Sequence, residues 1–236
     1  MSCSIVILHY GSTQLTEQCL ESVVAYSQDS QVILVDNARD WGFTGARPKR
    51  FEYIKPVKNL GFAAGCNTGA KQATEDILVF LNNDCRVRED WLLPLRFDLE
   101  RDDVGAVSPL LVYPDGRIQC WGVSVDFNRP LAAEARNNTH QYGRIDALTA
   151  ACTAMRRTVF DQVGGFDEGY WNGYEDVDLS LKIRELGLQL VVDPRSEVVH
   201  YESQSDPQER FSKVRENVLR LRERWDPAWL TATSPT

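Results

Sequence analysis

Short runs of apolar, largely β-branched residues, each closed by a polar cluster, constrain this chain most. "SIVILHY" (4–10), "QVILVDN" (31–37) and "DILVFLNND" (76–84) are apolar at consecutive rather than alternate positions. That is the pattern of strands covered on both faces. Between the first two lies "TQLTEQCLESVVAYS", which puts Leu15, Cys19, Leu20, Val23 and Val24 on one side of a helix. "FEYIKPV" reads as a weaker strand and "GFAAGCNTGAKQA" as a short helix entered through glycine. Strands alternating with helices predict a parallel sheet with right-handed crossovers.

The second half changes character. "WLLPLRFDLERD" reads as a helix, "VGAVSPLLVYP" as a strand and "PDG" at 114–116 as a turn. Residues 128–144 are polar and unpatterned, as in a loop, and "DALTAACTAMRRTVF" returns to the core. "EDVDLSLKIRELG" has acids in its first turn, Lys182 and Arg184 later, Gly187 as its cap, and a stripe of Leu179, Ile183 and Leu186. Two short strands, "LQLVVD" and "EVVH", are expected next, then a charged amphipathic helix over about 206–226 and a frayed end. With 236 residues and no linker or repeat, one domain over 1–236 is the expectation.

Composition excludes several classes. A net charge of −8 argues against a nucleic-acid binder, which carries a basic footprint. No run approaches the roughly 18 apolar residues of a membrane span, and the opening "MSCSIVILHYG" lacks the basic region of a signal peptide. The six cysteines are scattered without a CxxC pair and only three histidines are present. Reduced thiols in a cytoplasmic protein are therefore expected, rather than a zinc site or a disulfide framework.

Ligands of parallel α/β sheets bind beyond the carboxyl ends of the strands. Here those ends carry His9-Tyr10-Gly11, Asp36-Asn37 and Asn82-Asn83-Asp84. An aromatic face, an acid for a base or ribose, and a carboxylate for a cation suit a nucleoside diphosphate. Taken singly, each is also an ordinary turn sequence. Gly61, Gly65 and Gly69 match neither a Walker loop nor GxGxxG. They admit either backbone approach to a nucleotide or close packing of helix on sheet. In "GYWNGYEDVD", Tyr170, Trp171 and Tyr174 crowd around Glu175, Asp176 and Asp178. Those acids either complement a helix N-terminus or include a general base whose pKa apolar surroundings raise.

Taken in order, "SIVILHYG", "LVDNA", "NLGFAAGCNTGA", "FLNNDCRV", "VGGFDEGYWNGYEDVDLSLKIRELG" and "VVDPRSEVVH" resemble the family 2 glycosyltransferases of GT-A fold. The nearest likeness is to bacterial rhamnosyltransferase-like members, over about residues 3 to 202. The resemblance implies an α/β domain with a Rossmann-like, mostly parallel central sheet flanked by helices and a smaller antiparallel acceptor-side part. Its nucleotide-binding half would span about 1–100 and its acceptor-binding half about 101–205. It implies an inverting enzyme that moves a sugar from a UDP- or dTDP-sugar to a hydroxyl of a glycan or lipid-linked acceptor.

Carried onto this sequence, Tyr10 would lie against the base and Asp36 would contact the base or ribose. Asn59, Gly61, Asn67 and Asn83 would line the nucleotide pocket. Asp84 matches the last acid of a DxD-like motif, and with His200 it would hold magnesium or manganese. Asp176 matches the general base, Trp171 and Tyr174 would face the acceptor, and Glu175 would position the acceptor or serve the structure. Asn82 and Asn83 leave one acid where many relatives have two. Ala150 replaces a frequent glycine, and "RDWGFTGARPKR" (39–50) is an insert. The thinned metal motif keeps open a noncatalytic sugar-nucleotide-binding subunit. A nucleotidyltransferase fits less well, because "HYGSTQLTEQ" has no cations. The tail helix would pack on the domain or make a peripheral contact at the inner membrane face; a homodimer is also open.

Overall fold

The structure is a computed structural model that describes residues 3–39, 42, 47–135, 145–201 and 213–227. Parts of the insert (40–41 and 43–46), of the polar loop (136–144) and of the tail helix (206–212) lie outside the described residues, as do 228–236.

The strands are β1 (Cys3–His9), β2 (Gln31–Asp36), β3 (Arg50–Ile54), β4 (Ile77–Asn82), β5 (Cys85–Arg86), β6 (Val104–Val112), β7 (Ile118–Cys120), β8 (Val123–Val125), β9 (Ala133–Ala135), β10 (Cys152–Arg156) and β11 (Gln189–His200). The helices are α1 (Thr13–Tyr26), α2 (Phe62–Ala70), α3 (Leu92–Leu99), α4 (Arg157–Gln162), α5 (Glu175–Glu185) and α6 (Val214–Trp225). The main sheet runs β3-β2-β1-β4-β10-β6-β11-β5, with β7 attached to β6, and β8 and β9 form a small antiparallel pair. β3, β2, β1 and β4 are parallel, as the alternating pattern predicts. β10 enters antiparallel between β4 and β6, and so makes the sheet mixed.

The consecutive apolar runs follow from two cores. Ile5 and Ile7 of β1 join Cys19, Leu20 and Val23 of α1 on one face. Val6 and Leu8 join Ala63, Cys66 and Ala70 of α2 on the other. Alternate side chains of a strand point to opposite faces, so a strand with helices on both sides must be apolar throughout. The glycines of α2 belong to this packing. A Cβ on Gly65 would come within 2.4 Å of Leu8 Cδ1, and one on Gly69 within 2.4 Å of Val6 Cγ1.

Two local expectations need correction. "LQLVVD" and "EVVH" are one strand, β11, continuous along β6 with a register shift between Asp193 and Glu197. The intervening "PRS" is absorbed as a bulge, with Ser196 Oγ donating to Trp91 O at 2.6 Å. Leu186 leaves the α5 stripe and stands 38% exposed, whereas Leu179 and Ile183 are buried. The helix ends just before it, and Gly187 takes φ +80° past that end.

Helix α6 docks firmly. Val218 and Leu221 are buried, Asn217 Nδ2 donates to the carbonyls of Asn172 and Gly173 at 2.9 Å, and Trp225 Nε1 donates to Asp178 Oδ1 at 2.8 Å. The tail thus braces the loop that leads into α5. All six cysteines are buried free thiols.

Candidate active site

Parallel pairing puts the ends of β1, β2 and β4 side by side, with His9 opposite Asp36 and Leu8 opposite Asn82. The polar ends therefore do share one edge. Asn83 Nδ2 ties it together by donating to Tyr10 O at 3.1 Å and to Thr16 Oγ1 at 2.8 Å. Tyr10 keeps 36% exposure at the rim. Asp36 is fully buried, and it accepts from Tyr53 Oη at 2.5 Å and from Arg39 N at 2.6 Å. Its carboxylate thereby fixes the rim around β2 and β3.

Asn37, which the sequence reading assigned no role, organises the next loop. Its Nδ2 donates to Gly61 O at 2.8 Å and its Oδ1 accepts from Leu60 N at 3.1 Å. Asn59 Oδ1 accepts from Gly61 N at 2.8 Å. Gly61 has φ +77° and ψ 179°, a region open essentially to glycine alone. There a Cβ would meet Trp171 O at 2.8 Å, and Phe62 N donates to that same carbonyl at 2.9 Å. Gly61 thus lets the 59–61 loop lie directly against Trp171, a residue that is 46% exposed. Asn67 is engaged elsewhere: its Oδ1 accepts from Phe166 N at 3.0 Å and its Nδ2 donates to Phe166 O at 2.9 Å. Its amide clamps the segment before α5.

Across the edge, β11 ends beside β5, with His200 opposite Cys85. His200 Nε2 stands 3.2 Å from Asp84 Oδ1. That oxygen is shut off from solvent and accepts no hydrogen bond. On the other side of the ring, His200 Nδ1 is 2.7 Å from Gln119 Oε1. A buried carboxylate oxygen without a donor, facing an imidazole nitrogen, is the arrangement that a divalent cation completes. Asp84, Cys85 and His200 form the one candidate metal cluster among the described residues. Cys85 is the wrong chemistry for it. Burial pushes its thiol pKa well up, and Sγ donates to Ala151 O at 3.4 Å.

The two acids at the start of α5 have different environments. Glu175 is 4% exposed, and its Oε2 is buried without a partner. Burial first, and the adjacent Asp176 charge second, push its pKa up to about 8. Of the two expectations for Glu175, acceptor positioning or a structural role, the enclosure of its carboxyl in protein fits the structural one. Asp176 is only half-buried. It accepts from Val177 N at 2.8 Å and from Ala150 N at 3.2 Å. Burial raises its pKa, and these donors with Thr149 oppose the rise. Ala151 O accepts from Asn82 N at 2.9 Å. The 149–151 turn therefore joins Asp176 to the strand that carries the Asp84 motif.

Tyr174 caps α5 in a left-handed conformation, φ +73°, and its hydroxyl donates to Leu131 O at 2.6 Å. Tyr170 is buried in the core rather than on a ligand wall. Asp178 is buried and paired with Lys182 at 2.9 Å. Of the aromatic cluster, Trp171 alone offers a broad exposed face.

The family model described as "Glycosyl transferase family 2" matches residues 4–164, and that of "N-terminal domain of galactosyltransferase" matches 130–204. The chain is 31% identical over 228 residues to the O-antigen biosynthesis protein RfbC of Myxococcus xanthus, covering 86% of this chain and 17% of that protein. The crystal structure of GalNAc-T7 with UDP, GalNAc and Mn2+ superposes with a TM-score of 0.75 at 18% identity, covering 97% of this chain and 50% of that one. The mannosyltransferase PcManGT from Pyrobaculum calidifontis, in complex with GDP-Man and Mn2+, gives a TM-score of 0.63 at 18% identity, over 89% and 59%. The fold is the expected GT-A type. The chain spans half or less of the length of RfbC and GalNAc-T7.

Proposed function

This chain belongs to glycosyl transferase family 2, and from that membership we propose that it moves a sugar from a nucleoside-diphosphate sugar, UDP- or dTDP-linked, to a hydroxyl of a glycan or lipid-linked acceptor. The observation that carries the proposal is the orphaned Asp84 Oδ1 facing His200 Nε2 at the carboxyl edge of the sheet. Neighbouring folds solved with UDP or GDP-Man together with Mn2+ support a nucleotide sugar and a divalent cation. The O-antigen relative supports a glycan acceptor.

In this reading Asp84 and His200 would hold magnesium or manganese. Such a cation supplies countercharge for the departing diphosphate. Tyr10 offers its ring to the base, while the loop of Asn59 and Gly61 borders the nucleotide. Asp36 and Asn83 hold that rim in shape, and Trp171 walls the acceptor side. Asp176 takes the proton of the acceptor hydroxyl, and the freed oxygen attacks the anomeric carbon from the face opposite the diphosphate. Its raised pKa suits a base, which works best when its pKa approaches the working pH. Enclosed, protonated Glu175 leaves the local negative charge to Asp176.

A panel of nucleotide sugars, assayed for release of nucleoside diphosphate with Mn2+ and with EDTA, tests the proposal. Release of one or a few members only with metal is expected. Saturable binding of a donor without any turnover would favour the noncatalytic alternative.

A further inference from the structure

We propose that Gln119 is the positioning residue of the cation site: it fixes the tautomer and orientation of His200 so that the Nε2 lone pair faces Asp84. The inference rests on the reading that Asp84 and His200 hold the divalent cation.

Gln119 grips His200 at two points. Its Oε1 lies 2.7 Å from Nδ1 of the ring, and its Nε2 donates to the backbone carbonyl of His200 at 3.3 Å. The second contact sets which end of the amide faces the ring. The group at Nδ1 is then an oxygen that can only accept, so Nδ1 carries the proton. A neutral imidazole has one N–H, which leaves Nε2 bare. At Asp84, Oδ1 and His200 Nε2 stand 3.2 Å apart with no hydrogen bond between them, a spacing that lets both face one shared cation. Two bare lone-pair atoms at that distance repel unless one cation binds both as neighbouring ligands.

The backbone is shaped for this contact. In the β6–β7 pairing, Leu111 sits opposite Cys120 and Val112 opposite Ile118. Gln119 is therefore the extra residue of a bulge, the device by which strands re-aim a side chain beside functional sites. Both partners are largely buried, Gln119 at 5% and His200 at 9% exposure. Water therefore competes little for the Nδ1 proton.

The test is a pair of measurements. Nitrogen-15 NMR of the metal-free, unsubstituted protein, at a pH where His200 is neutral, reads the tautomer directly and needs no variant to fold. Protonation at Nδ1 is expected, and protonation at Nε2 would overturn the proposal. Mn2+ binding is then followed by electron paramagnetic resonance for wild type, Gln119→Met, Gln119→Glu and His200→Ala. Gln119→Met should weaken Mn2+ by about 10–100-fold, the usual worth of an outer-shell partner. Gln119→Glu keeps an acceptor at Nδ1 and should stay within a few-fold of wild type. If Gln119→Met binds Mn2+ as wild type does while His200→Ala loses it, the role of Gln119 is refuted and the cation site stands. If His200→Ala binds as tightly as wild type, the cation site itself fails, and this inference with it.

Discussion

Glu175 and Asp176 are consecutive residues with opposite surroundings: the first is enclosed with an unpartnered Oε2, and the second reaches solvent while accepting backbone N–H groups from Ala150 and Val177. On an α-helix, neighbours point about 100° apart. The fold uses that angle to enclose Glu175 and to hold Asp176, only partly enclosed, among backbone N–H donors. Asp176→Asn keeps the shape but takes no proton, so transfer should fall by about 10²–10⁴-fold. Nucleoside diphosphate affinity should hold. For the unsubstituted enzyme, kcat/KM should fall as pH drops through the Asp176 pKa, because the base is lost on protonation. Partial burial moves that midpoint up from the ordinary aspartate value, against the pull of the N–H donors. A pH-rate profile that is flat down to the ordinary range, or a variant as fast as wild type, contradicts the assignment.

Glu175 gives a stability prediction of definite sign. Its pKa is raised from 4.5 to about 8 in the folded protein. Between those values the folded state holds a proton that the unfolded chain has released, so stability falls as pH rises through that window. Glu175→Gln removes this contribution. Its melting temperature should decline less than that of wild type between pH 5 and pH 8. Parallel declines would show that Glu175 titrates normally.

The legible part of the sequence was what depends on neighbours in the chain. β1, β2 and β4 showed as unbroken apolar runs because both their faces are covered, and their polar ends marked the edge that carries Tyr10, Asp36 and Asp84. What the sequence hid depends on distant pairings. Gln119 meets His200 across 81 positions, and no local pattern distinguishes that glutamine. Asn67 has the look of a nucleotide contact at a helix start, yet it bonds Phe166, 99 positions away. β11 read as two strands because "DPRSE" carries turn chemistry, and the register shift along β6 absorbs it.

Gly61 and Gly116 make a controlled comparison. Both have positive φ, but a Cβ on Gly116 meets nothing within 4 Å, whereas one on Gly61 meets the Trp171 carbonyl at 2.8 Å. Gly61→Ala should cost about 1–3 kcal/mol, the range for a residue held in a sparsely allowed region. It should also weaken donor binding by displacing the 59–61 loop from Trp171. Gly116→Ala should cost less and leave donor binding unchanged. Urea unfolding with donor titration distinguishes them, and equal effects on donor affinity would contradict the role of the loop.

The tail helix should behave as part of the domain. Leu221 is fully buried, so Leu221→Ala should lower stability by about 2–5 kcal/mol. Two of its cations have internal partners: Arg220 pairs with Asp167 at 2.8 Å, and Arg222 donates to Phe127 O at 2.6 Å. No helix among the described residues is long and apolar enough to cross a membrane. Sedimentation with anionic liposomes at low salt should leave the protein in the supernatant. Co-sedimentation that disappears on neutralising Arg220 and Arg222 would show that the helix face is available to lipid.

The most direct test of the site is calorimetric titration of UDP and dTDP into the protein with Mn2+ and again with EDTA, for wild type and Asp84→Ala. The orphaned Asp84 Oδ1 beside His200 Nε2 predicts that wild type binds at least one of these nucleotides with Mn2+ and much more weakly in EDTA. Asp84→Ala should resemble the chelated protein even when Mn2+ is present, since hard cations need carboxylate ligands. Equal affinity for the same nucleotide with Mn2+ and with EDTA, unchanged by Asp84→Ala, would contradict a metal-assisted diphosphate site at this edge.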